Sequence, residues 1–304
     1  MLGSDALINP VQADTGWQAE TVVQEFTVTF WGVRGSIPTP GMGTARYGGN
    51  TACVELNVAG ERLIFDGGTG LRVLGKHLQH VADVKAHIFF THTHWDRIQG
   101  FPFFIPAFRP SNCFHIYGAT GLTGASIKQR LMDQMILPHF PVSLRTMESE
   151  LHFHNIEAGA VIPIDGISIE TLPLNQLNGA LGYRINWQGI SVVYATDTAH
   201  MFQHKEGLAH LAYDADLLII DAVYIDHAYF DPRQTAASRS FDQWHACVEA
   251  ALSAGAKQIL VFHHDPTHED DFLDQVADDM SATYSNVKIA REGMTLNLLP
   301  MSDI

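Results

Sequence analysis

Apolar residues in this chain occur mostly in short runs, and many of these runs end at a polar residue. The run Ala86–Phe90 is short, continuous and rich in β-formers, which predicts a buried strand. It is followed directly by Thr91-His92-Thr93-His94-Trp95-Asp96-Arg97. Two imidazoles two residues apart can point the same way from an extended segment, and Asp96 adds an oxygen donor suited to zinc, iron or manganese. The stretch therefore predicts a loop that presents ligands.

The same periodicities predict the other elements of the fold. Predicted strands cover Phe26–Phe30, Thr51–Val58, Arg62–Phe65, Phe114–Tyr117, Leu151–Phe153, Ile167–Leu172, Leu181–Trp187, Ile190–Ala195, Asp216–Ile220 and Ile259–Phe262. Predicted helices cover Leu71–His80, Leu122–Met135, Phe241–Ala254 and the stretch from Glu269 to about Tyr284. Between residues 62 and 90 the order is strand, glycine-rich turn, helix, strand, which indicates an α/β layered fold.

Residues that can ligate a metal or move a proton follow several of these strands. Asp66, the His92–Asp96 group, Asp197, Asp221 and His263 all lie just past an apolar strand. In α/β layered proteins, ligands gather beyond the carboxyl ends of strands. One such acid is commonplace, but several strand ends bearing His and Asp together predict a metal or hydrolytic site.

Two glycine-rich loops add candidate ligand contacts. Trp31–Gly41 carries Arg34 as its only charge, and Arg46 precedes Tyr47-Gly48-Gly49-Asn50. Glycine lets the backbone approach a ligand, and arginine can bind a phosphate or carboxylate through two hydrogen bonds. A structural salt bridge is the alternative role for each arginine. The acidic run Glu269-Asp270-Asp271 is interpreted as a helix cap, where the helix dipole favours acidic groups.

Composition narrows the class of protein. With 46% hydrophobic and 17% charged residues among 304, the chain is globular and long enough for a substantial core. The formal net charge of −15 argues against broad binding to nucleic acid or to an anionic membrane surface. No apolar run approaches the ~20 residues that span a bilayer. The net charge does not exclude a locally basic pocket that binds a small anion.

The same patterns predict the domain organisation and the compartment. Residues 1–24 have little periodicity and are expected to form a loosely ordered extension, with 25–304 forming one domain. Cys53, Cys113 and Cys247 are widely spaced and odd in number, which favours buried thiols in a reducing compartment over disulfides. No secretory signal pattern is visible. A cytoplasmic location is therefore predicted.

Seven motifs occur in order between about Phe26 and Leu299. They are Phe30-Trp31-Gly32-Val33-Arg34-Gly35-Ser36, Arg46-Tyr47-Gly48-Gly49-Asn50-Thr51, Asp66-Gly67-Gly68-Thr69-Gly70, Thr91–Gly100, Gly179-Ala180-Leu181-Gly182-Tyr183-Arg184, Tyr194-Ala195-Thr196-Asp197-Thr198 and Phe262-His263-His264-Asp265-Pro266. Together they resemble the metallo-β-lactamase fold superfamily, in the branch of phosphodiesterase-like hydrolases similar to the tRNA 3′-end processing enzymes.

This resemblance implies an α/β fold of the four-layer αββα type, with the site along one edge of the sandwich. The family carries two metals, one held by the His-x-His pair, a later His and a bridging Asp. The second is held by the Asp and His that close His-x-His-x-Asp-His, the same bridging Asp and a last His. Carried over by motif, the ligands kept here are His92, His94, Asp96, Asp197 and His263. The family also implies a homodimer.

Three positions depart from the family pattern. Arg97 and Gln176 stand where His ligands are expected, and Arg239 stands at a family His often assigned to proton transfer beside the acid at Asp221. Arginine is cationic and only donates, so Arg97 cannot ligate and is expected to take the second metal's electrostatic role. Gln176 is expected to be a weak amide-oxygen ligand. At most one metal is predicted, zinc or else manganese or iron, with an empty site as the alternative.

Two functions of different classes follow. The first is a mononuclear phosphodiester hydrolase with weak or specialised activity, in which His92, His94 and Asp197 hold the metal and Asp96 or Asp221 serves as base. The alternative is an inactive pseudo-hydrolase that binds a nucleotide or another small phosphoester, or regulates a partner. One-metal oxygenase chemistry is a third, since fold does not fix reaction. The candidate substrate contacts are Arg34, Arg46, Asn50, Arg97, Arg239 and His264.

Overall fold

Two mixed β sheets form the centre of the computed structural model, which describes residues 25–121, 124–175, 179–197, 205–221 and 242–298. In chain order the strands are β1 (Phe26–Gly32), β2 (Cys53–Val58), β3 (Glu61–Phe65), β4 (Lys85–Phe89), β5 (Cys113–Ala119), β6 (Glu150–Ile156), β7 (Val161–Ile164), β8 (Ile167–Asn175), β9 (Ala180–Trp187), β10 (Ile190–Ala195), β11 (Leu217–Asp221), β12 (Ile259–Phe262), β13 (Val287–Ile289) and β14 (Thr295–Asn297).

The helices lie outside these sheets. They are α1 (Thr69–Leu78), α2 (Trp95–Ile98), α3 (Ile127–Asp133), α4 (Lys205–Ala212), α5 (Asp242–Ser253) and α6 (Asp270–Thr283), with short 3-10 turns at Met42–Thr44, Phe101–Phe103, Ile105–Phe108 and Leu144–Thr146. Within the described ranges no helix combines the length and the apolar character needed to cross a membrane.

Each sheet is antiparallel in one half and parallel in the other. The first has the order β14-β1-β2-β3-β4-β5-β6, and its pairs from β3 to β6 are parallel. The second has the order β13-β12-β11-β10-β9-β8-β7, and its pairs from β10 to β13 are parallel. The carboxyl ends of parallel strands in a sheet point to one edge, where ligands collect in α/β folds.

Burial patterns explain why these residues form the layers. Along β1 every second residue is buried, as expected of a strand with one face on the core. All residues of β10, β11 and β12 are buried, because helices cover the face that does not contact the other sheet. On α1, Leu71, Leu74 and Leu78 form the buried face that the sequence predicted. The resulting order of helix, sheet, sheet and helix confirms the predicted four-layer α/β sandwich.

The structure differs from the sequence predictions at two helix starts. The helix predicted over 122–135 is observed as Ile127–Asp133. At the start of α6 the Glu269 side chain makes no capping hydrogen bond. Asp270 instead accepts hydrogen bonds from the backbone N–H groups of Arg46 (2.7 Å) and Tyr47 (3.1 Å). The acidic run therefore anchors a distant loop as well as starting a helix.

Candidate functional site

The polar residues that follow the parallel strands meet at one edge of the sandwich. Asp66 follows β3, Asp197 lies two residues past β10, and His263 follows β12. All three have positive φ angles, of 61°, 66° and 64° respectively. Residues other than glycine rarely adopt this conformation, and instances cluster at functional sites. We use the name strand-end cluster for Asp66, His92, His94, Asp96, Arg97, Asp197, Asp221 and His263.

Arg97 lies at the centre of the strand-end cluster and is surrounded by acids. Its Nη1 is 3.0 Å from Asp66 Oδ2, its Nε is 3.5 Å from Asp96 Oδ2, and its Nη2 is 3.7 Å from Asp221 Oδ1. The side chain is only 1% exposed. The same Nη1 also donates to the Tyr194 hydroxyl at 3.3 Å. The guanidinium thus joins the acid that follows β3 to acids of α2 and β11.

The acids around Arg97 differ in how readily they hold a proton. Burial raises the pKa of Asp66, opposed by the charge of Arg97 and by hydrogen bonds from Thr91 and Tyr194. Burial raises the pKa of Asp221 to about 6, although His263 and Arg97 oppose the shift. Asp96 behaves differently: burial opposes ionisation, but the hydrogen bond from His263 and the charge of Arg97 hold its pKa well below the usual range.

His263 pairs with Asp96 across the two sheets. Its Nε2 is 2.8 Å from Asp96 Oδ2, and its Nδ1 is 3.9 Å from Asp221 Oδ2. Burial and Arg97 lower the pKa of His263, but the two acids outweigh them and raise it overall. A Cβ atom on Gly35 would lie 2.7 Å from the His263 ring, so a glycine is required there. His263, a candidate ligand, therefore faces an acid on each side of its ring.

The two histidines of the loop after β4 lie together but differ in exposure. The ring centroids of His92 and His94 are 4.3 Å apart. His92 is buried, with its Nδ1 3.0 Å from the Thr91 hydroxyl, whereas His94 is exposed. Burial, and then the charge of Arg97, lower the pKa of His92 well below its ordinary value. His92 is thus a neutral imidazole, the form that binds metals.

The remaining predicted ligands are described only in part. Asp197 is half-buried, and its backbone N–H donates to Asp221 Oδ2. Gln176 and Arg239 lie outside the described residues. Their roles as a weak ligand and as a substrate contact stay predictions.

Four of the predicted substrate contacts have partners inside the protein instead. Arg34 is fully buried, donates to the carbonyls of Gly48 (2.7 Å) and His268 (2.6 Å), and lies 3.9 Å from Asp270. The other three predicted contacts also bind groups of the protein. Arg46 forms ion pairs with Asp271 and Asp274, Asn50 donates to Glu292 at 3.1 Å, and His264 lies 2.8 Å from the Ala290 carbonyl. The structure does not bring these four side chains into the strand-end cluster.

The sequence match decides the family. Residues 61–264, more than half of the chain, match the family model described as the beta-lactamase superfamily domain. The chain belongs to the beta-lactamase superfamily.

Solved structures with the metallo-β-lactamase fold superpose on most of this superfamily member. The metallo-β-lactamase fold protein YhfI from Bacillus subtilis is 19% identical, with 90% of this chain and 100% of that chain covered and a TM-score of 0.62. A diphosphatase of the PhnP family is 16% identical, with 90% and 97% covered and a TM-score of 0.61. The short form of human tRNase Z, ELAC1, is 20% identical, with 90% and 100% covered and a TM-score of 0.57. No curated protein matches the chain significantly.

The comparisons confirm the resemblance seen in the sequence. The chain has the metallo-β-lactamase fold and shares it with structures that include a diphosphatase and a tRNase Z. At this level of identity the structural neighbours establish the fold only. What the strand-end cluster does has to be argued from its own residues.

The strand-end cluster contains residue types that can ligate a metal ion and one that cannot. Arg97 stands where the resemblance implies a His ligand of the second metal, and its buried guanidinium contacts Asp96 of that ligand set together with Asp66 and Asp221. A second dication there would lie against a permanent cation. His92, His94 and Asp197 are chemically suitable for a single ion, since zinc accepts imidazole and carboxylate ligands. The donor atoms of these three residues do not all lie within 4.8 Å of one another. Among the described residues, only one group of potential ligands meets that distance.

That one group lies on β5 and β6, outside the strand-end cluster, and the sequence analysis did not predict it. It consists of Cys113, His115 and His152, whose ligand atoms all lie within 4.8 Å of one another. The available signal was alternation, because Cys113 and His115 are two residues apart on one strand, as are His152 and His154 on the next. The pairing of β5 with β6 is what brings them together, and no local pattern gives that register.

Proposed function

We propose that this chain is a phosphodiesterase-like hydrolase with an impaired dinuclear centre. In this proposal the strand-end cluster binds at most one metal ion, and phosphodiester hydrolysis is weak or restricted to a specialised substrate. The observation that carries the proposal is the position of Arg97, whose buried guanidinium contacts Asp66, Asp96 and Asp221. A side chain in this position supplies the charge of a cation but none of its coordination chemistry.

The balance of charges supports a single metal ion. Four acids, Asp66, Asp96, Asp197 and Asp221, belong to the cluster; Arg97 is its permanent cation, and His263 is a second cation when it is protonated. When all six are ionised the cluster has an excess of two negative charges. One divalent ion neutralises that excess, whereas two would leave the buried cluster with an uncompensated positive charge.

In this proposal, different residues of the chain hold the metal ion and act as the general base. A bound metal would polarise a phosphoryl oxygen and lower the pKa of its water. His92, His94 and Asp197 would hold it, with Gln176 as a weaker fourth donor. Asp221 is the better candidate for the base, because burial raises its pKa to about 6, near the operating pH. Asp96 is a poor base, since its carboxylate is already held by His263 at 2.8 Å.

A phosphoester-binding protein without turnover is the second candidate. It is favoured by the separation of the His92, His94 and Asp197 donor atoms, which do not form a compact ligand set. Arg97 does not contribute to recognition in this case, because its side chain is 1% exposed and held by acids. Arg130 is better placed beside the histidine loop, since its Nη1 donates to the Thr93 hydroxyl at 2.7 Å.

Metal analysis combined with a phosphodiester assay tests both candidates. The measurement uses the full chain with Cys113→Ser, so that only the strand-end cluster is counted, and bis(4-nitrophenyl) phosphate as substrate. The first candidate predicts at most one metal per chain and slow metal-dependent turnover. His92→Ala should abolish that turnover, whereas His139→Ala, at an exposed histidine after α3, should not.

Each other outcome points to a different function. Two metals at the strand-end cluster with fast turnover would contradict the proposal. No metal and no turnover, with a nucleotide still bound, would support the second candidate. Bound iron with consumption of oxygen would instead indicate one-metal oxygenase chemistry.

A further inference from the structure

A second group of metal-binding side chains lies at the opposite end of the first sheet. Cys113 opens β5, His115 is two residues further on, and both are on the same face of the strand. In the parallel pair β5–β6, His115 lies opposite His152, and Cys113 lies opposite Glu150. We use the name Cys113 cluster for Cys113, His115 and His152.

The Cys113 cluster is separate from the strand-end cluster. It lies near the amino ends of β5 and β6, whereas the strand-end cluster lies beyond the carboxyl ends of strands parallel to them. His115 pairs with His87 of β4, and His92 follows five residues later. Five residues of extended chain span roughly 16 Å. No single metal ion can therefore contact both groups.

The donor atoms of the Cys113 cluster already lie close together. One ligand atom from each of the three residues lies within 4.8 Å of the other two. A tetrahedral zinc ion, with Zn–N of about 2.0 Å and Zn–S of about 2.3 Å, holds such atoms about 3.3–3.5 Å apart. All three side chains are partly exposed, so small rotations can bring them to that separation.

The donor types select a class of metal. One thiol and two imidazoles suit zinc and the copper ions, and they do not suit magnesium or calcium, which require oxygen donors. With three protein ligands, the fourth position is left for water or for another side chain.

Neighbouring groups can orient these ligands. The Glu150 carboxylate lies 2.9 Å from His152 Nε2, and His154 Nε2 lies 3.1 Å from His115 Nδ1. A metal-bound imidazole usually has its second nitrogen hydrogen-bonded in this way. Stacking alone accounts for the rings of His87, His115 and His152, whose successive centroids are 5.0 and 4.7 Å apart. Stacking does not account for the Cys113 sulfur, which lies within 4.8 Å of a ligand atom of both His115 and His152.

We propose that Cys113, His115 and His152 form a mononuclear site for a thiophilic transition metal, with zinc as the ion that the donor set fits best. The site joins β5 to β6, the edge strand of the first sheet. A metal here clamps two strands whose pairing otherwise depends on backbone hydrogen bonds and ring stacking. The proposal does not depend on the function of the strand-end cluster.

Cobalt substitution tests the proposal through the sulfur ligand. The metal-stripped full chain is titrated with Co²⁺, and the near-ultraviolet thiolate-to-cobalt charge-transfer band is recorded. The strand-end ligands contain no sulfur, so they cannot give this band. We expect the band in the parent chain and its loss in Cys113→Ser. The band should be retained in His80→Gln, which changes an exposed histidine two residues past the end of α1.

Zinc affinity provides the second measurement. His152→Ala should weaken zinc binding at this site by at least about 100-fold, because even the loss of a supporting group costs about 10- to 100-fold. Far-ultraviolet circular dichroism of the metal-free variants checks that they are folded. If the folded parent gives no thiolate band at saturating Co²⁺, or if the band survives in Cys113→Ser, the proposal is wrong.

Discussion

The two ends of the parallel strands in the first sheet carry ligating residues in opposite circumstances. At the carboxyl end, Asp66 and Asp96 are buried and already paired with Arg97 and His263. At the amino end, Cys113, His115 and His152 are partly exposed, with converging donor atoms and no arginine among them. The first end carries ligand types that are engaged in ion pairs, and the second carries a thiol and two imidazoles whose ligand atoms lie close together.

If our proposal is right, position in a superfamily fold does not by itself provide a metal site. A metal needs donors that are not held by an internal cation. Arg97 contacts three acids of the strand-end cluster, and in our proposal this ion-pair network takes the place of a second metal ion. The Cys113 cluster has no equivalent position in the predicted ligand pattern, yet its geometry is closer to what a metal requires.

The largest expected effect comes from removing the internal cation. Arg97→Met leaves Asp66 and its neighbouring acids buried without their partner, which should lower the free energy of unfolding by about 3–5 kcal/mol. Denaturant titration near pH 7 measures the loss. Arg72→Met, at an exposed position of α1, is the matched control and should change stability little. A variant at position 97 as stable as the parent would show that Arg97 does not hold the network together.

Zinc should stabilise the amino end of the sheet by a smaller amount. Free zinc at about 100 times its dissociation constant raises the free energy of unfolding by about 2.7 kcal/mol through mass action. His152→Ala should lose this increment, whereas His92→Ala should keep it, because His92 belongs to the other cluster. Thermal unfolding with and without zinc gives the comparison. An increment unchanged by His152→Ala would remove the contrast between the two ends.

The pH dependence of stability tests the buried histidine beside the carboxyl end. Burial lowers the pKa of His264 to about 3 from 6.5. The unfolded chain takes up this proton below pH 6.5 and the folded chain does not, so stability falls between about pH 6.5 and pH 3. Between pH 7.5 and pH 5 the loss due to His264 should be about 2 kcal/mol.

His264→Gln isolates this contribution. Glutamine keeps a donor for the Ala290 carbonyl and does not titrate, so the variant should lose less stability on acidification than the parent. Denaturant titrations of both proteins at pH 7.5 and pH 5 measure the difference. Parallel pH profiles would mean that His264 is protonated as easily in the folded protein as in the unfolded one.

Much of the carboxyl end could be predicted from the sequence because its signals are local. Apolar runs that end in Asp or His predicted that Asp66, Asp221 and His263 lie at one edge, and the structure brings them together around Arg97. The sequence placed Arg97 beside Asp96, and the structure adds Asp66 and Asp221 as partners. Those additions depend on packing between strands that are far apart in the chain.

The rest could not be predicted, because it depends on pairing between distant segments. A phosphate contact and a structural salt bridge were both open for Arg34, and its observed partners His268 and Asp270 lie more than 200 residues away. The Cys113 cluster requires the register between β5 and β6, across an intervening helix and loop. Neither the identity of a partner carbonyl nor a strand register is encoded in local periodicity.

The most direct test of the central claim is a count of metal ions before and after the missing imidazoles are restored. Zinc per chain is measured by elemental analysis in Cys113→Ser and in Cys113→Ser combined with Arg97→His and Gln176→His. We predict at most one zinc in the first protein and about two in the second, because removing the guanidinium frees Asp96 and the acids beside it. Two zinc ions in the first protein, or no gain in a folded second protein, would contradict the account.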